Sequence, residues 1–349
     1  MKKYYEVYNF IKEGILSGRY KTNLKLPSKR DFSRELGVSL VTVERALGML
    51  FEEGYVLPIE KRGYFVSLES VEFKKTETDL DAKIELLTEG EENYNHDFEY
   101  SVWIKTVRKI ISEKNDKLFI KSPPAGLSAL RNAISEYLLR YRKMVASPKN
   151  IIIGSGAESL YESVVKILGR NLSYGIENPS YSQIRSVYED MGVNIVSLDM
   201  GVDGIKSREL KEKEFDVLHV TPFNSFPSGI TATINKRYEY LNFAKEKNKY
   251  IVEDDFAGEF FIPGNPIDSL YSLCDFNKVI YINTFSKSLS PSIRIGYMIL
   301  PDNLLEIWQK KLGGFSCSVP VLEQYVLAEF IGNGSFERHL NKVRRKMKK

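Results

Sequence analysis

Apolar residues recur at helical spacing through the first 52 residues and then switch to short runs. Val7, Phe10, Ile11 and Ile15 fall three or four residues apart, which predicts one face of a helix closed by Gly18. After Leu26-Pro27, Ser28 is followed three residues later by Asp31, a capping-box pattern that opens a second helix; Leu36-Gly37 ends it. Ser39 caps a third helix whose buried face is Val43, Ala46, Leu47 and Leu50. The run from Gly54 to Ile59 and the run Tyr64-Phe65-Val66 flank a basic turn, Glu60-Lys61-Arg62-Gly63, and read as two short strands. Three helices followed by a basic hairpin make a winged helix-turn-helix, expected over residues 1–67.

Residues 68–92 are charged with little periodicity and read as a linker. From 93 to 349, helix-like stretches alternate with short apolar runs: Ile151-Ile152-Ile153, Val193-Asn194-Ile195-Val196, Val217-Leu218-His219-Val220, Tyr250-Ile251-Val252 and Val279-Ile280-Tyr281-Ile282. That alternation predicts an α/β domain with a mainly parallel sheet.

Composition narrows the class without naming a reaction. The chain has 349 residues, 43% of them hydrophobic, enough for more than one buried core. No apolar run has the length of a membrane span, and the opening Met1–Phe10 stretch lacks the apolar segment of a signal peptide. Cys274 and Cys317 are far apart and the three histidines are scattered, so neither a disulfide framework nor a metal site is expected, and a cytoplasmic protein is. The net charge of +4 is uneven: residues 1–70 hold 12 basic against 9 acidic residues, and residues 71–100 hold 3 against 10. A basic head of this kind suits nucleic acid, although a solvated surface gives the same count.

Three stretches carry chemistry. Ile151-Ile152-Ile153 runs into Gly154-Ser155-Gly156-Ala157-Glu158 ahead of a helical pattern; glycines there let backbone N–H groups close on a phosphate, or simply make a tight turn. Tyr250-Ile251-Val252 leads to Glu253-Asp254-Asp255, carboxylates at the carboxyl end of a strand, where open α/β sheets bind ligands. Val279–Ile282 leads to Asn283-Thr284-Phe285-Ser286-Lys287-Ser288, with Arg294 and Gly296 beyond. A lysine just past a buried strand can form a Schiff base with an aldehyde cofactor, and Thr284, Ser286 and Arg294 can bind its phosphate.

These motifs carry two resemblances. Leu26-Pro27-Ser28-x-Arg30, Leu36-Gly37-Val38-Ser39-x-x-Thr42-Val43, Ala46-Leu47 and Glu53-Gly54-Tyr55 resemble the GntR superfamily of transcription regulators. From about Asn93 onward the chain resembles the fold-type-I pyridoxal-phosphate superfamily, and the whole is similar to the MocR subfamily of GntR regulators. The second resemblance rests on Ser122-Pro123-Pro124-x-Gly126, Glu177-Asn178-Pro179-x-Tyr181, Phe226-Pro227-Ser228-Gly229, Glu253-Asp254-Asp255 and Thr284–Gly296. It implies an aminotransferase-like large domain, pyridoxal 5'-phosphate as cofactor, a homodimer, a double-stranded DNA operator and a small amino compound as effector.

It also implies residue roles. Lys287 carries the cofactor, Asp254 pairs with its pyridine nitrogen, and Tyr181 stacks on the ring. Gly156, Ala157 and Glu158 offer backbone N–H groups to the phosphate, joined by Thr284, Ser286 and Arg294. Asn224 and Ser225 lie near the phenolic oxygen. In the head, Arg45 with Thr42 reads bases, Ser28 and Ser39 cap helices near phosphates, and Arg30, Lys61 and Arg62 hold the DNA backbone. Phe256 stands where the family usually has a tyrosine, Glu158 where it has glutamine, and Leu40 where arginine or lysine is common. The Glu158 side chain is expected to point away from the phosphate, and Arg338, Arg344 and Arg345 to face solvent or a partner. The family continues into a small C-terminal domain with the arginine that grips a substrate carboxylate, whereas this sequence ends at Lys349; sustained transamination is therefore not expected. A ligand-sensing regulator is the leading expectation. An active aminotransferase with a DNA-binding head and a cofactor-free dimerisation scaffold are the alternatives.

Overall fold

The computed structural model describes residues 3–60, 62–67, 98, 100–260 and 268–347. Two compact units divide the chain, Met1–Gly90 and Glu91–Lys349. The expected linker, 68–92, and the wing residue Lys61 lie outside the described residues.

The first unit contains α1 (Lys3–Leu16), α2 (Lys29–Glu35), α3 (Leu40–Glu52), β1 (Val56–Ile59) and β2 (Gly63–Val66). Val7, Ile11 and Ile15 of α1, Phe32 of α2, and Val43, Ala46, Leu47 and Leu50 of α3 form one core, closed by Val56 and Val66 of the antiparallel hairpin. Phe10 is only partly buried, and Tyr8 takes the place next to it, its hydroxyl donating to Glu53 at 2.6 Å. The capping box is present: the Asp31 N–H donates to the Ser28 hydroxyl and the Ser28 N–H to the Asp31 carboxylate. Ser39 caps α3, accepting from the Thr42 N–H at 3.2 Å.

The second unit is built on a seven-stranded sheet. Its strands are β3 (Ile151–Gly154), β4 (Ser173–Asn178), β5 (Asn194–Asp199), β6 (Val217–Val220), β7 (Tyr250–Asp254), β8 (Val279–Thr284) and β9 (Gly296–Ile299), in the order β3-β9-β8-β7-β6-β4-β5. Only β9 runs against its neighbours; every other pairing is parallel. The helices are α4 (Tyr100–Lys114), α5 (Ser128–Tyr137), α6 (Ala157–Leu168), α7 (Ser182–Asp190), α8 (Ser207–Glu212), α9 (Ile234–Glu246), α10 (Leu270–Leu273), α11 (Phe285–Ser288), α12 (Asp302–Leu312), α13 (Val321–Gly332) and α14 (Ser335–Met347).

Strand pleat separates two layers of core. Ile151, Ile153, Tyr281, Tyr297 and Ile299 pack with α5, α13 and α14, while Ile152, Ile280, Ile282 and Met298 pack with α6, α7 and α12. Burial on both faces is why most strands read as continuous apolar runs rather than alternating ones. Two strands escaped that reading. β4 contains Gly175 and Glu177, and β9 lies inside the stretch read for its lysine chemistry. Because β3 and β4 and β6 to β8 run the same way, Gly156, Tyr181, Asn224 and Lys287 follow the carboxyl ends of strands, and Asp254 ends one, all at the same end of the sheet. Among the described residues, no helix is long and apolar enough to cross a membrane.

Candidate functional site

Asp254 closes β7 and Asp255 follows it, so the pleat sends their side chains to opposite faces. Asp255 is ion-paired with Arg142 at 2.6 Å and accepts from the Tyr281 hydroxyl at 2.8 Å. Asp254 faces the other layer, where the Tyr161 hydroxyl of α6 donates to Oδ2. Its Oδ1 is buried without a hydrogen-bond partner. Burial pushes the Asp254 carboxyl up to about 7, against the Tyr161 hydrogen bond, which holds it down. A buried carboxyl with one oxygen bonded and the other not has capacity for one more hydrogen-bond donor.

Lys287 sits on α11, one turn past β8, the strand that pairs with β7. Its ammonium nitrogen lies 4.5 Å from the ring centre of Phe256, two residues beyond Asp254. The side chain at 256 thus contacts the lysine through its ring face. The lysine is half-buried.

Gly156 caps α6 with φ +88°, a left-handed conformation that favours glycine. A Cβ there would stand 2.6 Å from Arg294 Nη2 and 3.0 Å from Glu158 Oε2, so both charged groups lie over the start of α6. They are paired to each other at 2.6 Å. The expectation that Glu158 points away from the phosphate position is therefore corrected: its carboxylate is drawn onto the one guanidinium assigned to that phosphate. Thr284 and Ser286 are adjacent but locally engaged. The Thr284 hydroxyl accepts from the Ser286 N–H at 3.0 Å, and the Ser286 hydroxyl donates to the Ile293 carbonyl at 3.2 Å.

On the far side, Tyr181 precedes α7, partly exposed, edge-on to Phe226. Asn224 adopts φ +52° in the turn after β6. Ser225 is buried and donates to Glu177 at 2.6 Å, so its hydroxyl serves the wall of the site. Burial raises the Glu177 carboxyl to about 8.

In the first unit, Ser28 and Ser39 are spent on helix caps, and Thr42 Oγ1 is 2.8 Å from Ser39 Oγ. Arg30, Arg45 and Arg62 are exposed. Arg45 stacks at 4.2 Å over the ring of Tyr4, and Arg62 lies 5.7 Å from that of Phe65. Lys29 is tied to Glu44 of α3 at 2.8 Å, which reduces the positive charge between α2 and α3.

Comparison with known proteins separates the head from the body. The profile of "Bacterial regulatory proteins, gntR family" matches residues 3–66. The HTH-type transcriptional regulator YdeL of Bacillus subtilis is 35% identical over 99% of this chain and 77% of its own. The rhizopine catabolism regulatory protein MocR of Rhizobium meliloti is 25% identical over 97% of this chain and 74% of its own. The chain belongs to the MocR-type GntR regulators. Its large unit has the aminotransferase fold: the α-aminoadipate aminotransferase LysN of Thermus thermophilus superposes with a TM-score of 0.64 and 26% identity, over 71% of this chain and 64% of LysN.

Some residues of this MocR-type chain were not singled out from sequence. Tyr161 was hidden in an apolar helical stripe with Leu160, Val164 and Val165, and its hydroxyl gave no signal. His219 is likewise buried; burial drives its pKa down to about 3, and its Nδ1 meets the Tyr188 hydroxyl at 2.7 Å. Arg344 is a correction: it is 8% exposed, and its Nε donates to the Glu259 carbonyl at 2.6 Å. Helix α14 is docked through Phe336 and Leu340, so the basic end of the chain carries a buried arginine among its exposed charges.

Proposed function

We propose that the large unit binds pyridoxal 5'-phosphate covalently at Lys287 and that the winged helix holds a double-stranded DNA operator, with DNA affinity set by what occupies the cofactor site. The observation that carries this reading is the buried, unpartnered Oδ1 of Asp254 at the strand end next to Lys287. The residues fit the group. Asp254 would accept the pyridine N–H; Gly156, Ala157 and Arg294 would hold the phosphate; Tyr181 would cover the ring. Asn224 would be the polar neighbour of the phenolic oxygen, since Ser225 is committed to Glu177. When bound, the cofactor supplies an aldehyde that condenses with amines and an electron sink.

An amino compound is the natural effector for such a site. LysN was solved with N-(5'-phosphopyridoxyl)-L-leucine, a cofactor joined to an amino acid, which supports an amino compound as the signal here. The working division is a head over 1–67, a linker over 68–92 and a cofactor domain over 93–349, acting as a homodimer on paired half-sites.

The test is borohydride reduction of protein incubated with pyridoxal 5'-phosphate, followed by peptide mapping. The pyridoxyl label is expected on Lys287 and is lost in Lys287→Ala. A label on another lysine, undiminished in that variant, would overturn the assignment.

A further inference from the structure

The start of α6 holds two opposite charges where the proposed function places one phosphate. Arg294 and Glu158 both stand over Gly156, and they pair at 2.6 Å. Their side chains are 51% and 36% exposed, so the pair is a solvent-facing one, easily opened and worth little to the fold. The first-turn N–H groups of this 12-residue helix and the guanidinium form one positive locus. The Glu158 carboxylate already satisfies it.

We infer that Glu158 is a built-in competitor for the cofactor's phosphate, which makes this site discriminate weakly between phosphorylated and unphosphorylated forms of the same aldehyde. The inference rests on the cofactor reading above. A phosphate reaching Arg294 must displace the carboxylate, which then stays within a rotamer of it as a like charge. The unphosphorylated aldehyde meets no such cost, because its ring and aldehyde contacts lie at Asp254 and Lys287. A neutral amide at 158 keeps the shape of the side chain and removes the competition. The consequence is an exchangeable cofactor, suited to a protein that reports occupancy.

The experiment measures dissociation constants of pyridoxal 5'-phosphate and of pyridoxal by equilibrium dialysis, for the wild-type chain and for Glu158→Gln and Glu158→Ala. Both variants are expected to bind the phosphorylated form about two- to five-fold more tightly and pyridoxal unchanged. The gain is expected to shrink with added sodium chloride, since the displaced charge is solvent-facing. Inorganic phosphate alone, measured without the cofactor, should also bind Glu158→Gln more tightly than wild type. Cofactor attached at Lys287 with equal affinity in wild type and both variants overturns this inference alone. No Lys287-linked cofactor in any of them overturns the cofactor reading, and the inference with it.

Discussion

Asp254 and Tyr161 form the contact on which the chemistry of the site turns. The tyrosine hydroxyl satisfies one carboxylate oxygen, and the other is buried without a hydrogen-bond partner. Tyr161→Phe removes that donor while keeping the ring packed in the core. The Asp254 carboxyl should then rise above about 7, because the larger of the two hydrogen bonds that oppose burial is gone and only the Phe256 backbone one remains. Loss of one hydrogen bond to a charged acceptor corresponds to about 1.5–3 kcal/mol. Cofactor binding should weaken by about ten-fold or more, with its pH midpoint displaced upward; titration of binding against pH checks both. Glu177 gives a second prediction, of stability. Its carboxyl is raised from 4.5 to about 8 by burial, so between those values the folded state holds a proton that the unfolded state has released. Its contribution is full below about 4.5 and is lost as pH rises through about 8. The stability difference between wild type and Glu177→Gln, from urea unfolding at a series of pH values, should fall across that window and level off above it. A flat difference would refute the buried-acid account. Neither residue announced itself as a titrating group in the sequence. An acid inside a strand and a tyrosine in an apolar stripe become unusual only when the fold removes their water.

At the scale of elements, legibility followed the source of each element's stability. The caps of α2 and α3 depend on residues three apart, Ser28 with Asp31 and Ser39 with Thr42, and local spacing states them directly. Strands β3, β6, β7 and β8 were visible because burial on both faces demands unbroken apolar runs, and the half-buried edge strand β5 was read from Val193, Ile195 and Val196; β4 was not, because its polar Glu177 satisfies Thr221 and Ser225 from far along the chain. The Glu158 to Arg294 pair spans 136 positions, and single-sequence spacing carries no information about which way either side chain turns. The same limit applies to α3 as a reading helix. Arg45 is exposed and braced by Tyr4 at 4.2 Å, an arrangement that presents the guanidinium without freezing it. Arg45→Ala should cost about 1–3 kcal/mol on the preferred operator and relax sequence preference, whereas Arg62→Ala in the hairpin should weaken all sequences alike and flatten the salt dependence. Selection from a random duplex library followed by salt titration distinguishes them. Unchanged preference in Arg45→Ala would move base reading elsewhere on the head.

Across the large unit as a whole, a buried ionic cluster joins segments that no local pattern connects. Arg142, just beyond α5, pairs with Asp255 after β7 and lies 3.7 Å from Glu259. Tyr281 of β8 donates to Asp255, Asn283 of β8 donates to Glu259, and Arg344 of α14 donates to the Glu259 carbonyl. The side chains of Arg142, Asp255 and Glu259 are each no more than 5% exposed. Desolvation makes such a cluster a poor source of net stability, but removing one member strands the opposite charge. Arg142→Met should therefore destabilise the large unit by about 3–5 kcal/mol, and adding Asp255→Asn should recover part of the loss. The loss should also depend on pH. Burial already holds the Glu259 carboxyl at about 7, and Arg142 is what pulls it down, so without the arginine it rises further. An acid whose folded pKa is raised loses its stabilising contribution as pH increases. The deficit of Arg142→Met should accordingly be smallest at mildly acidic pH and should grow through neutrality. Denaturant unfolding of the single and double variants at several pH values reads all three outcomes. A deficit independent of pH, with no recovery in the double variant, would mean that Arg142 acts through its packed alkyl chain rather than through its charge.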